Sequence, residues 1–226
     1  MSDNFIERMV ELGFKEEAAK RARNRAMDAI VMNDDLQEKV RTCIQCDLSQ
    51  MCAGPIPGVG SVTAPLMLVG EAPGKEEDEN DVPFVGDSGQ LLTLFLNQLK
   101  VDRRTIYTTN AVKCRPPKNR QPHADELDAC RDHLMNEIKW VRPKIIVTLG
   151  NPAMWQIRKD KNLKITKERG RWHKLAIGRR TYMVLHTFHP SFVLRKEDPA
   201  EFQAAARYLF NDLKAAFTAL QQESEV

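Results

Sequence analysis

The chain has 226 residues, 42% of them hydrophobic and 29% charged, with a formal net charge of +3. That length and balance fit one soluble globular core, or one core with an appendage. No apolar run approaches the roughly 18–20 residues that a membrane span needs, and the first residues carry no apolar leader-type stretch. No membrane partner is expected, and the expected form is a cytoplasmic monomer.

Residues 1–35 hold six basic and eight acidic side chains and read as an N-terminal helical extension broken at Gly13-Phe14. Phe5, Ile6, Met9, Val10 and Phe14 could cover the main domain, 36–226; alternatively the extension docks a protein partner. Four short apolar runs rich in β-branched or aromatic residues then read as buried strands: Leu66–Val69, Ile106–Val112, Ile145–Leu149 and Tyr182–His186. Between and after them lie helical stretches. Ser88 to Leu99 presents Leu91, Leu92, Phe95, Leu96 and Leu99 on one face, and Ala124 to Val141 repeats Leu127, Leu134, Ile138 and Val141 before Pro143 stops it. Asn151 to Ile157 follows a Gly-Asn-Pro punctuation, and Pro199 to Gln221 forms a long last helix. Strands alternating with helices predict an α/β fold: three layers, α/β/α, around a central, mainly parallel four-stranded sheet.

Charge is unevenly placed. From Gln156 to Arg180 there are ten Lys or Arg against Asp160 and Glu168, a segment basic enough to suggest a polyanion partner. The five cysteines stand at 43, 46, 52, 114 and 130. Without an export signal disulfides explain them poorly. Cys43-Ile44-Gln45-Cys46 is a C-x2-C pair that can offer two thiolates to one metal centre, with Cys114 and Cys130 available to complete a four-sulfur set. Residue chemistry leaves zinc and an iron–sulfur cluster both open.

In open α/β sheets, ligands bind in the crevice at the carboxyl ends of the strands. Just past those ends come Gly70-Glu71-Ala72-Pro73-Gly74, Asn110, Gly150-Asn151 and His186-Thr187-Phe188-His189. Glu71, Asn110 and His189, remote in sequence, are therefore expected to converge.

These residues carry a resemblance. In order along the chain stand CIQCDLS (43–49), PGVGSVTAPLMLVGEAPGKEED (57–78), PFVGDSGQLL (83–92), TNAVKCRPPKNRQP (109–122), Cys130, ITKERGRW (165–172) and HPSFVLR (189–195). Together they resemble the family-4 uracil-DNA glycosylases, the iron–sulfur branch of that superfamily, over about two thirds of the chain. Residues 1–35 lie outside the resemblance.

The resemblance implies a DNA repair enzyme that flips deoxyuridine out of single- or double-stranded DNA and hydrolyses its N-glycosidic bond, leaving an abasic site. It implies that Glu71 positions the water, that Asn110 reads the uracil edge, that His189 donates to O2 and that Phe84 stacks on the base. Ala72 and Glu77 join the pocket in the same reading, Glu77 guarding the C5 side. A [4Fe–4S] cluster on Cys43, Cys46, Cys114 and Cys130 is implied as a structural pin, with Cys52 the spare. Arg115, Lys118, Arg120, Lys167, Arg169, Arg171, Ser191 and Arg195 are the expected DNA contacts, Leu194 or Val193 the wedge, and Lys113 a neighbour of phosphate or of the cluster. The competing reading is a uracil-DNA binding or cross-linking protein of the same fold. The Lys-Arg-Arg-Ile-His insertion of one cross-linking relative is absent, because Lys113 runs straight into CRPPKNRQP.

Overall fold

In the computed structural model the described residues are 34–224 and, before them, 9–10, 13, 15–18 and 20. After a first helix, α1 (Asp34–Arg41), come strands β1 (Val59–Gly60) and β2 (Leu66–Gly70), helices α2 (Lys75–Asn80) and α3 (Asp87–Gln98), and strand β3 (Tyr107–Asn110). They are followed by α4 (Ala124–Val141), β4 (Ile145–Leu149), α5 (Asn151–Arg158), α6 (Ile165–Glu168), β5 (Trp172–Ile177), β6 (Arg180–Thr187), α7 (Pro190–Leu194) and α8 (Pro199–Ser224).

The sheet order is β1-β3-β2-β4-β6-β5. The inner pairs β3–β2, β2–β4 and β4–β6 are parallel, and β1 and β5 pair antiparallel at the two edges. The four strands expected from sequence are thus the parallel centre, and the sheet itself has six. Every residue of β2, β3 and β4 is buried, as parallel strands covered on both faces require.

Alternation along each strand divides the core. Leu66 and Leu68 of β2, Ile145, Val147 and Leu149 of β4 and Leu185 of β6 pack on one face with Leu91, Leu92 and Phe95 of α3 and Phe202, Leu209 and Leu213 of α8. Met67, Val69, Ile146 and Val184 point the other way, to Leu134 and Ile138 of α4 and Ala153 and Ile157 of α5. This is the three-layer arrangement. Within the extension, Met9 is fully buried in the first of these cores and Ala18 packs against it. Phe5, Ile6 and Phe14 lie outside the described residues.

Helix α4 shows how local chemistry sets an element. Its Glu126, in the first turn, accepts the His123 N–H at 2.6 Å and so satisfies a donor the helix start leaves open. At the other end Arg142 turns left-handed (φ 53) and Pro143 follows, which ends the helix where the sequence predicts. No helix among the described residues is long and apolar enough to cross a membrane.

Candidate active site

The carboxyl ends of β2, β3 and β6 open onto a cavity of about 430 Å³ lined by Glu71, Ala72, Glu77, Phe84, Asn110 and His189, with Ser191, Arg195 and Arg120 at its rim. The convergence expected of Glu71, Asn110 and His189 is therefore present in the geometry. β2 ends at Gly70, which pairs with Asn110 at the end of β3, so the turn carrying Glu71 and the amide of Asn110 leave the sheet side by side.

Glu71 is half-buried, and among the described residues its carboxylate accepts no hydrogen bond. Burial pushes its pKa up to about 6, opposed by the Arg195 guanidinium. His189 caps α7: its Nδ1 accepts the Ser191 N–H at 3.1 Å and lies 2.8 Å from Ser191 Oγ. Burial, then Arg195, lowers the imidazole pKa to about 4, so the ring is neutral at pH 7. A neutral ring whose Nδ1 accepts carries its proton on Nε2, the nitrogen left to donate into the cavity.

Phe84 and Asn110 meet across Gly70. A Cβ at Gly70 would stand 2.3 Å from Asn110 Oδ1 and 2.5 Å from Phe84 Cζ, so only glycine lets the ring and the amide approach the backbone together. The Phe84 ring lies 6.3 Å from the His189 ring at an interplanar angle of 27°. Phe84 itself is left-handed, with φ 60, a conformation that costs a bulky residue roughly 1–2 kcal/mol. Its neighbours hold it there. Arg103, 3% exposed, donates from Nη1 to the Phe84 carbonyl (2.7 Å) and from Nη2 to the Pro83 carbonyl (2.9 Å). Glu77 accepts the Val85 and Gly86 N–H groups at 2.9 Å each and the Gly74 N–H at 3.0 Å. Glu77 thus reaches the cavity wall with a carboxylate already occupied by three amides. Sequence reading missed Arg103, whose flanking Asp102, Arg104 and Thr105 give no sign of burial.

The phosphate reading of Lys113 requires a correction, whereas the Lys113 backbone N–H does lie against Cys130, as the alternative reading expects. Lys113 is 0% exposed and cannot meet phosphate. Its Nζ donates to Glu137 (2.6 Å), to Thr109 Oγ1 (2.6 Å) and to the Asn110 carbonyl (3.0 Å). Glu137 also accepts from Thr109 Oγ1 (2.7 Å) and from the Gly58 N–H (2.9 Å). A saturated ion pair therefore stands behind the amide that faces the cavity.

The basic candidates separate into two kinds. Lys118, Lys167 and Arg171 are exposed. Arg120 grips Glu126 with both terminal nitrogens (2.8 and 2.6 Å), and Arg169 grips Asp212 (2.8 Å) while lying over the Tyr208 ring at 4.3 Å. Arg115 donates to Asn119 at 2.8 Å, and Arg195 to Ser191 Oγ at 2.9 Å. Val193 is fully buried, which removes it as a wedge; Leu194 remains partly exposed on the same turn.

All five cysteines are unpaired as disulfides and lie in one neighbourhood. Cys114 lies beside Cys52 and within electrostatic reach of Cys130 and Cys46, and Cys130 within reach of Cys46 and Cys43. Cys130 Sγ accepts the Lys113 N–H at 3.3 Å. Among the described residues no three His, Cys, Asp or Glu side chains close to the spacing of a single metal ion.

Residues 57–210 match the family model described as the uracil DNA glycosylase superfamily. The chain is 40% identical over 165 residues to a type-4 uracil-DNA glycosylase of Saccharolobus solfataricus, covering 71% of this chain and 76% of that one. It is 35% identical over 178 residues to that of Archaeoglobus fulgidus (75% of this chain, 89% of the relative). Against that of Thermotoga maritima it is 35% identical over 188 residues (83% and 94%). With the α/β sheet and its carboxyl-end cavity in place, these matches show that the chain belongs to the uracil-DNA glycosylase superfamily and to its type-4 group.

Proposed function

We propose that this protein is a monofunctional uracil-DNA glycosylase that hydrolyses the N-glycosidic bond of deoxyuridine in DNA, with the cavity at the sheet's carboxyl edge as its active site. The observation that carries the reading is the meeting of Glu71, Asn110, His189 and Phe84 around one cavity. A base inside a duplex is out of reach of such a recess, so the nucleotide swings out and enters it. Phe84 offers a ring face for stacking. The Asn110 carboxamide offers an acceptor to N3–H and a donor to O4; cytosine reverses that pattern and leaves buried groups unpaired, at roughly 1–3 kcal/mol each.

In the reaction the C1′–N1 bond breaks, and its electron pair leaves with uracil. The His189 Nε2–H meets the charge that grows on O2, a preorganised donor of the kind that usually dominates such catalysis. Glu71, ionised above its raised pKa of about 6, faces the cationic sugar and orients the water that adds to C1′. The water leaves its hydroxyl on C1′, and its second proton offsets the charge on uracil. Ala72 completes the wall. Glu77 supports it through the amides it holds, which fits a brace better than the direct C5 guard expected from sequence.

DNA is held at the rim. Lys118 and Lys167 have free reach to phosphates, joined by Arg115, Ser191, Arg195 and Arg171, which also lies 3.6 Å from Glu168, while Arg120 and Arg169 fix the segments that carry them. Leu194 fills the space the base vacates. Cys43, Cys46, Cys114 and Cys130 would hold a [4Fe–4S] cluster. Electrostatic coupling of Cys114 with Cys130 and Cys46, and of Cys130 with Cys46 and Cys43, supports that assignment, since thiols from three separate segments share one neighbourhood. Bound there, the cluster would pin the segment after α1 to the β3–α4 loop; residues 1–35 are assigned as an extension that covers that domain, with Met9 in its core.

The test is release of free uracil from single-stranded and U:G duplex oligonucleotides, followed by alkali cleavage at the abasic site. The protein is expected to do both, and Asn110→Ala to abolish them. A gel shift or SDS-stable adduct without alkali-labile ends would instead support the binding protein. Purified protein is expected to be brown, with Cys46→Ala bleaching it and Cys52→Ala leaving the colour intact.

A further inference from the structure

Phe84 is held in its left-handed backbone by a division of labour across two buried charges. On one side the Arg103 fork takes the carbonyls of Pro83 and Phe84; on the other the Glu77 carboxylate takes the amides of Val85 and Gly86. The two charges do not touch, and the peptide units of 83–86 lie between them. Among the described residues Arg103 has no carboxylate at hydrogen-bond distance: its acceptors are two carbonyls and the hydroxyl of Thr93 at 3.0 Å. A buried guanidinium lacking a direct counterion is costly for stability alone, and it persists here against Phe84, which with Asn119 is one of two non-glycine residues that both turn left-handed and line the cavity. The fit is close on the helix side too. A Cβ at Gly89 of α3 would stand 1.8 Å from the Phe84 carbonyl oxygen, so that carbonyl is pressed onto the helix where Nη1 can reach it.

We propose that Arg103 is a positioning residue for base recognition: its fork holds the Phe84 carbonyl and thereby fixes the ring against which the flipped base stacks. The inference rests on the stacking role of Phe84. An untethered Phe84 relaxes toward an ordinary backbone angle, and its ring leaves the slot beside Gly70 and Asn110. Arg103 touches no substrate atom, and its effect passes entirely through Phe84.

The test is a double-mutant cycle on the full-length protein, reading the single-turnover excision rate and KM on a U:G duplex together with Tm. Arg103→Met is expected to lower the rate about 10–100-fold in the native background, as a misplaced recognition group does. In the Phe84→Ala background the same change is expected to cost less than about threefold, because little remains to position. Equal losses in both backgrounds would overturn the proposal and leave Arg103 as a fold-stabilising residue, with the stacking reading intact. A Phe84→Ala rate equal to the native one would overturn both. Arg103→Lys keeps the cation and gives up the fork, so it guards against misfolding of the methionine variant. It is expected to restore Tm without restoring the rate, and full recovery of both would show that the two-pronged grip is not needed.

Discussion

Two carboxylates line the cavity, Glu71 on the turn after β2 and Glu77 on α2. Glu77 is buried and holds three backbone amides, so its charge is spent on shaping the loop of Phe84. Glu71 has no such donors among the described residues, and burial raises its pKa to about 6. The difference teaches how one pocket assigns roles to like groups: a saturated carboxylate is scaffold, and an unsatisfied one is left for substrate. The same contrast separates the cations, since Lys113 sits in a closed ion pair while Arg195 faces Glu71 from an exposed turn.

The strongest way to break that contrast is to neutralise each acid in turn. Glu71→Gln is expected to lower the excision rate by about 10²–10⁴-fold while Tm holds or rises. The sign follows from linkage: a carboxyl whose pKa is raised on folding costs stability once ionised, so the glutamine gains above pH 6 and loses that advantage as pH falls. Glu77→Gln should do the reverse. It removes a charge-assisted acceptor worth about 2–3 kcal/mol, which for a chain of this size lowers Tm by about 5–10 °C. Rates and thermal melts of the two variants, side by side, check the assignment; a stability loss confined to Glu71→Gln would reverse the roles.

Gly70→Ala tests the point where Phe84 and Asn110 meet. Its Cβ would stand 2.3 Å from Asn110 Oδ1 and 2.5 Å from Phe84 Cζ, so the reading amide or the ring must shift. A displacement of that order costs about 10²-fold in kcat/KM. Far-ultraviolet circular dichroism should remain native, since the clash is with side-chain tips and not with the sheet.

Behind Asn110 the saturated pair gives a stability effect instead. Lys113→Met leaves Glu137 ionised and buried without its cation, at about 3–5 kcal/mol, and Tm is expected to fall by roughly 10 °C. Lys113→Met with Glu137→Gln should recover most of that loss. The glutamine oxygen still accepts the Gly58 N–H, and its amide can donate to Thr109 Oγ1. Failure of the double variant to recover would mean that charge pairing is not what Lys113 supplies.

The parallel centre of the sheet was legible because Leu66–Val69 and Ile145–Leu149 are continuous apolar runs, the pattern that burial on both faces demands. The edges were not. β5 alternates exposed and half-buried residues along Trp172–Ile177 and reads as part of a basic surface segment, and β1 spans only Val59 and Gly60. Glu71, Asn110 and His189 were legible as polar residues at strand ends, and the family resemblance supplied their roles. Arg103, Lys113 and Glu137 could not be read that way. A charged residue shows itself as buried only through partners fixed by the fold, such as Gly58 and Glu137, 79 positions apart. For the same reason Arg120 and Arg169, read from sequence as free cations, are met in the structure by Glu126 and Asp212.

The smallest expected effect probes the field at Glu71. Arg195 opposes burial at Glu71, holding its pKa below where burial alone would place it. The excision rate is therefore expected to fall as pH drops through about 6, where Glu71 gains its proton, while His189, with a pKa of about 4, stays neutral over the same range. Arg195→Gln removes the opposing charge and should move this acid limb upward, by about half a unit given that an exposed guanidinium is screened by solvent. Salt supplies the control. Raising ionic strength should shift the native profile toward that of the variant and leave the variant nearly still, because screening removes only an interaction that is present. An acid limb that ignores both the substitution and the salt would assign the titration to a group other than Glu71, and with it the water-orienting role.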